Sequence, residues 1–331
     1  MSLLEEVKAK IKKELPNLDV VIGWKQGFDP LHATPHFMRT ENDVDQLIFN
    51  PLCGQNLATY LPGIQDKKVG ILVKGCDSRS VVELLQEKLI KRENVVIFGL
   101  PCSGAVDLVK VQEELGAVGR VTEVGFDPKK MQVTTPKGKT ELDVQDLLLP
   151  KCQTNPYSAP VIADHNFSQD EAAPCGQGES ASLQALEGMS LEQRFDYWQY
   201  HMDRCIRCYA CRNACPMCVC RDHCIADTRD PHWLSQETDI EQKWMFQLIH
   251  AMHLAGRCTE CGECERACPM NIPILSLRQK LNREIKELFT YEAGVDPEAV
   301  PPLLTFKVEE ANINERGQQW RQRPILPLKT S

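Results

Sequence analysis

Eleven of the chain's 16 cysteines lie between Cys205 and Cys268, and their spacing restricts the fold more than any other feature. Cys205-x2-Cys208-x2-Cys211-x3-Cys215-Pro216 recurs as Cys258-x2-Cys261-x2-Cys264-x3-Cys268-Pro269. Three thiolates two residues apart wrap a tight loop around one face of a metal–sulfide cube. The fourth follows on a helical turn that faces away, so it serves the neighbouring cube, and the proline stops that turn. The expected [4Fe–4S] ligand sets are therefore crossed: Cys205, Cys208, Cys211 and Cys268 in set A, Cys258, Cys261, Cys264 and Cys215 in set B. Zinc favours paired C-x2-C knuckles, and three close cysteines followed by Cys-Pro suit it poorly.

Disulfides are not expected. A disulfide framework belongs to a short chain behind a signal peptide. This chain has 331 residues and opens on Met1-Ser2-Leu3-Leu4-Glu5-Glu6-Val7-Lys8, charged and apolar at helical spacing. That reads as an amphipathic helix of a cytoplasmic protein. No apolar run approaches the 18 or more residues of a bilayer span, so direct membrane insertion is not expected. A net charge of −8 argues against a nucleic-acid partner.

The fold class expected is an α/β N-terminal domain followed by an all-helical dicluster domain. Val69–Val73 and Asn94–Phe98 read as strands around a helix near Ser80–Leu89, a βαβ unit on a parallel sheet. A polar hairpin is expected through Val121–Val133. The boundaries expected are 1–152 for the α/β domain, 153–188 for a linker, 189–290 for the cysteine-rich domain and 291–331 for an extended, Pro-rich arm. Ser190-Leu191-Glu192-Gln193 reads as a capping box opening a helix that carries Phe195, Trp198 and Met202. Further helices are expected over Ile240–Ala255, closed by Gly256, and over Lys280–Phe289. Trp198, Trp233 and Trp244 read as core or interface aromatics, and His250 and His253 as packing or proton-balancing groups.

The remaining cysteines suggest further sites. Cys76 and Cys102 each follow a predicted strand, and strand ends converge on one edge of a parallel sheet. With Cys53 and Cys152 they would supply four thiolates from separate loops to a third [4Fe–4S] cluster, with Cys175 as a substitute. Cys218-x-Cys220-x3-Cys224 follows the first motif directly. It reads either as an additional metal site, with His223 or Cys175 as fourth ligand, or as spare thiols beside set B. Arg204, Arg207, Arg212 and Arg257 flank the ligands; they would raise cluster potentials, although ordinary salt bridging is the favoured role. Asp77, Ser78 and Arg79 stand at a strand–helix junction that could meet an anionic group of a cofactor, with helix capping the favoured alternative.

Gly75-Cys76-Asp77-Ser78-Arg79 through Gly99-Leu100-Pro101-Cys102 resembles the coenzyme F420 hydrogenase/dehydrogenase beta-subunit family. With the ferredoxin motifs behind it, the chain resembles iron–sulfur subunits of heterodisulfide-reductase-linked complexes of anaerobes over about residues 20–310. The resemblance implies an electron-transfer subunit, not itself catalytic, passing single electrons within a complex. Its partners would be a flavoprotein, a heterodisulfide reductase, a hydrogenase or a formate dehydrogenase. The alternative it implies is a subunit with its own FAD, exchanging hydride with F420 or a nicotinamide. The chain has no G-x-G-x-x-G fingerprint and places its ferredoxin motifs after the α/β region, so FAD is not favoured.

Overall fold

The computed structural model describes residues 2–116, 120–127, 129–167, 176, 178, 180–220, 224–226, 234–235 and 237–305. Its main sheet is formed by β1 (Val20–Gln26), β2 (Ala33–Met38), β3 (Leu47–Ile48), β4 (Val69–Val73), β5 (Val95–Gly99) and, after a second sheet, β9 (His165–Asn166). The order is β2-β1-β4-β5-β9, with β3 also paired to β1. β1, β4, β5 and β9 run parallel, while β2 and β3 run antiparallel to β1. β4 is buried along its whole length. Strands covered on both faces need uninterrupted apolar sequence, as Val69-Gly70-Ile71-Leu72-Val73 supplies. The polar stretch near Val121–Val133 forms three antiparallel strands rather than two, β6 (Glu123–Phe126), β7 (Lys130–Thr135) and β8 (Gly138–Asp143).

Around the sheet lie α1 (Leu3–Glu14), α2 (Glu41–Asp45), α3 (Gly75–Gln86), α4 (Leu108–Leu115) and α5 (Pro150–Thr154). α3 closes the expected βαβ unit between β4 and β5. Every residue from Gly75 to Leu84 is buried, polar ones included, so both faces of this helix are covered. A Cβ on Gly75 would stand 2.0 Å from the Tyr157 carbonyl oxygen, so the loop carrying Tyr157 can cross the helix start only against glycine.

From Ala181 on, the described elements are helices: α6 (Ala181–Gly188), α7 (Leu191–Asp203), α8 (Ala210–Asn213), α9 (Ile240–His253), α10 (Glu263–Arg266) and α11 (Ile274–Phe289), with one short 3-10 turn near the end. The Ser190 hydroxyl accepts from Gln193 N, and the Gln193 side chain accepts from Ser190 N, which is the expected capping box. Residues 153–188, expected as a linker, contribute β9 to the main sheet. Met217 and Leu254 of the cysteine-rich region belong to the same hydrophobic core as Ile22, Ile71 and Phe98. Trp198 is buried with Leu186 and Met202, and Trp244 packs against them; Trp233 lies outside the described residues. Among the described residues, no helix is long and apolar enough to cross a membrane.

The polar face of α3 meets the C-terminal part of the chain. Arg79 donates to the Ala293 carbonyl at 2.8 and 3.2 Å, Tyr291 donates to Glu83 at 3.0 Å, and Gln86 donates to Asp296 O and Ala299 O. Ser80 shares a 2.8 Å hydrogen bond with Thr259. Gly294, at φ +70°, would place a Cβ 2.1 Å from the Arg79 carbonyl oxygen, so this docking also depends on a glycine. Residues 291–299 thus lie against α3, and 306–331 fall outside the described residues.

Candidate metal centres

The two motif loops share one backbone. The residues flanking the second cysteine are left-handed in both: Arg207 (φ +53°) and Tyr209 (+59°) about Cys208, Glu260 (+56°) and Gly262 (+69°) about Cys261. For residues with a Cβ this costs about 1–2 kcal/mol each, and its recurrence marks a geometric requirement. Each loop then enters a short helix, α8 or α10, and ends at the fourth cysteine, where Cys215 N donates to Arg212 O and Cys268 N to Glu265 O. α8 and α10 pack on each other, which permits the crossing expected from the spacing. Cys205, Cys208, Cys211 and Cys268 line one pocket with Phe246, Gln247 and Met270. Burial first, then the neighbouring Cys261, Cys218, Cys258 and Cys264, raises the Cys215 thiol.

No metal-free protein holds such thiols ionised cheaply. Burial first, then Glu260 and Cys261, pushes the Cys258 thiol up to about 12. Burial likewise moves Cys211 up to about 11, only partly offset by Arg278 and a hydrogen bond from Gln247. Crowded buried thiols with few donors are the chemistry of a metal-binding set, since a cation stabilises thiolates that the protein alone disfavours. The Gln247 amide approaches the sulfurs of Cys205 and Cys211 at 3.9 and 4.0 Å. Among the described residues, no three His, Cys, Asp or Glu side chains close to the spacing of a single metal ion; the corners of a cube stand farther apart than that.

The N-terminal cysteines also come together. Cys102 raises the thiols of Cys53, Cys76 and Cys152 by its own charge, each time behind burial. The sequence reading missed two buried lysines at this place. Lys74 donates to Cys53 O and Gln55 O, pairs with Asp77 at 3.2 Å and lies 4.9 Å over the Trp24 ring. Lys151 donates to Gly54 O at 3.2 Å and faces Glu263 at 3.9 Å. Burial works against both ammonium groups, but Asp77 at Lys74 and Cys76 with Glu263 at Lys151 outweigh it, so both are held firmly protonated. Burial raises the Cys261 thiol and Lys151 partly offsets it; with its side chain against Gly262, Lys151 stands between the N-terminal set and set B. In sequence, Lys74 stands two residues before Cys76 and Lys151 directly before Cys152, but neither placement by itself shows that the lysine is buried.

Elsewhere the expected groups are engaged within the chain. Asp77, Ser78 and Arg79 are buried. Ser78 donates to Gly75 O and accepts from Val161 N, while Arg79 meets Glu292 at 3.4 Å and stacks 4.7 Å over Tyr157. Cys218 faces Cys220 and Cys224, and Arg212 Nε donates to Cys224 Sγ at 3.1 Å. His223 and Cys175, the expected fourth ligands, lie outside the described residues. Arg204 donates to Met270 O, Arg207 to Glu237 O, and Arg257 forms a two-pronged pair with Glu87. His250 is buried and His253 is not.

Residues 201–272 match the 4Fe-4S dicluster domain family, so the chain carries an iron–sulfur domain of that class where the doubled motif predicted it. Over most of its length it is similar to beta subunits of F420-dependent formate dehydrogenases. It is 25% identical over 352 residues to the F420-dependent formate dehydrogenase subunit beta of Methanocaldococcus jannaschii, covering 88% of this chain and 90% of that one. It is 27% identical over 357 residues to the F420-dependent formate dehydrogenase 1 subunit beta of Methanococcus maripaludis, covering 86% and 89%. A chain of the F420-reducing [NiFe] hydrogenase complex from Methanosarcina barkeri aligns over 46% of this chain and 61% of its own at 17% identity and a TM-score of 0.36.

Proposed function

We propose that this chain is the electron-relaying iron–sulfur subunit of a multi-subunit oxidoreductase whose partner subunit oxidises formate. The pocket in which Cys205, Cys208 and Cys211 meet Cys268 of the other motif carries the reading, and similarity to two formate dehydrogenase beta subunits supports the kind of partner. Cys205, Cys208, Cys211 and Cys268 would hold one [4Fe–4S] cluster, and Cys258, Cys261, Cys264 and Cys215 the second. Cys53, Cys76, Cys102 and Cys152 would hold a third, with Lys74 and Lys151 compensating its negative charge. Each cluster, when bound, takes up and gives back one electron. The chain's own residues bury these groups, keep water from them and fix their order: N-terminal set, then B across Lys151, then A. In this reading 189–290 is an all-helical dicluster domain, 1–152 an α/β domain, 153–188 the connection that adds β9, and 291–331 an arm starting on α3.

Iron and acid-labile sulfide counts on anaerobically purified protein, with EPR of the reduced state, test it. About 12 iron atoms per chain are expected. About 8 would remove the N-terminal cluster and leave the dicluster reading standing. Colourless protein, or protein holding only zinc, sinks both.

A further inference from the structure

α11 is amphipathic, and its inward face carries Ile274, Leu275, Ser276, Arg278 and Gln279, all buried. A leucine at 278 would complete that face; instead there is an arginine, 1% exposed. Arginine is charged at any pH a protein survives, and a fully buried one is almost always paired with a carboxylate. This one is not. Its Nη2 donates to His250 Nδ1 at 2.8 Å, while Nε and Nη1 meet no protein acceptor. His250 cannot compensate the charge: burial, and then Arg278 itself, holds its imidazole neutral. The glutamates of loop B are committed elsewhere, Glu263 to Arg266 at 2.8 Å, Glu265 to Leu275 N at 3.1 Å, and Glu260 to Asn282 at 2.8 Å.

Both helices that hold Arg278 reach the motif cysteines. On α9, one turn before His250, the Gln247 amide approaches the sulfurs of Cys205 and Cys211 at 3.9 and 4.0 Å. On α11, Ile274 packs with Cys205, Cys211 and Cys264, and Asn282, one turn after Arg278, donates to Cys258 O at 2.7 Å. It therefore stands where both sets can feel it, with two unused donors. A [4Fe–4S] group on four thiolates carries net negative charge, and reduction adds one unit more. A buried cation set between two such sites favours the reduced form of each.

We propose that Arg278 is the shared counter-charge of sets A and B, a positioning residue that holds up the reduction potential of both clusters. The proposal rests on the dicluster reading above. The test is an EPR-monitored redox titration of the anaerobically purified full-length chain and of its Arg278→Gln and Arg278→Lys variants, each with its iron count. In Arg278→Gln the equilibrium constant for reduction is expected to fall about tenfold at both clusters, which is about 59 mV for one electron. Arg278→Lys keeps the charge and should stay within about threefold of the parent. Unchanged potentials in an iron-replete Gln variant, or a fall at only one cluster, overturn the shared role. Should the Gln variant lose iron, the Lys variant decides: full iron with near-parental potentials upholds the charge, and loss of iron there too overturns it in favour of shape. Failure of the dicluster reading is separate, because the parent protein itself would then lack the two clusters.

Discussion

The two motif loops repeat one backbone in two different settings, and the difference separates an outer site from an inner one. Loop A carries Cys208, which is exposed, and Ile206, 61% exposed. Loop B is pressed against the α/β domain: Thr259 bonds Ser80, Lys151 packs over Gly262, and Asn56 hydrogen-bonds Cys261. Even Cys215, contributed to set B from loop A's helix, lies beside a domain contact, where Thr59 donates to Ala214 O at 2.9 Å. Local spacing therefore fixes what each loop can hold, while the surrounding fold decides whether it faces a partner or the protein interior. Under the proposed function, set A is the edge that faces another subunit.

The largest effect should come from removing one ligand on each side. Cys208→Ser and Cys261→Ser should each lower the iron count by about four. Only Cys261→Ser empties a site on which the contact between domains rests, and metal binding there is folding energy of several kcal/mol or more. Its thermal midpoint should fall well below that of Cys208→Ser in differential scanning calorimetry. Equal midpoints would mean that the inner and outer sites do not differ in structural weight.

The interior setting of loop B also has a pH signature. Glu83, on the α3 face that meets the C-terminal segment, is raised by burial to about 7 despite the hydrogen bond from Tyr291. The folded protein therefore binds a proton that the unfolded chain releases near pH 4.5. Stability is full below that value, declines as pH rises to about 7 and is level above it, a loss of at most about 3 kcal/mol. Glu83→Gln should flatten this decline and raise the midpoint at pH 8. An unchanged slope between pH 5 and 7.5 would show that Glu83 is ionised throughout.

The sequence exposed these regions unequally, for a physical reason. The dicluster domain was legible because the cysteines of each motif are close in sequence and stand at fixed offsets. The βαβ unit and the Ser190 capping box were legible for the same reason, since each is a local pattern. The meeting of Cys53, Cys76, Cys102 and Cys152 could be expected only from the rule that parallel strands end on one edge. Lys74, Lys151 and Arg278 were not found at all. A cation on a helix or in a loop ordinarily reads as solvated, and only tertiary packing reveals that these three are buried. Likewise β9 pairs over two residues in a stretch without periodicity, which gives no pattern to detect.

The smallest effect tests the comparison at one matched position. An arginine directly precedes the first cysteine of each loop, Arg204 before Cys205 and Arg257 before Cys258. Arg204 stays within its own domain, donating to Met270 O and lying 5.3 Å over the Tyr200 ring. Arg257 crosses to α3 and pairs through two nitrogens with both oxygens of Glu87, each side chain about 15% exposed. A two-pronged, half-screened pair is stronger than an open surface bridge but weaker than a fully buried one. Arg257→Ala should therefore cost about 1–2 kcal/mol, and Glu87→Ala about the same. The double variant should cost no more than either, because each single change already breaks the pair. Arg204→Ala should cost about 1 kcal/mol or less. If Arg204→Ala proves the more damaging when unfolding is followed under anaerobic conditions, the outer loop rather than the inner one carries the domain's attachment, and the assignment of set A to an exposed edge fails with it.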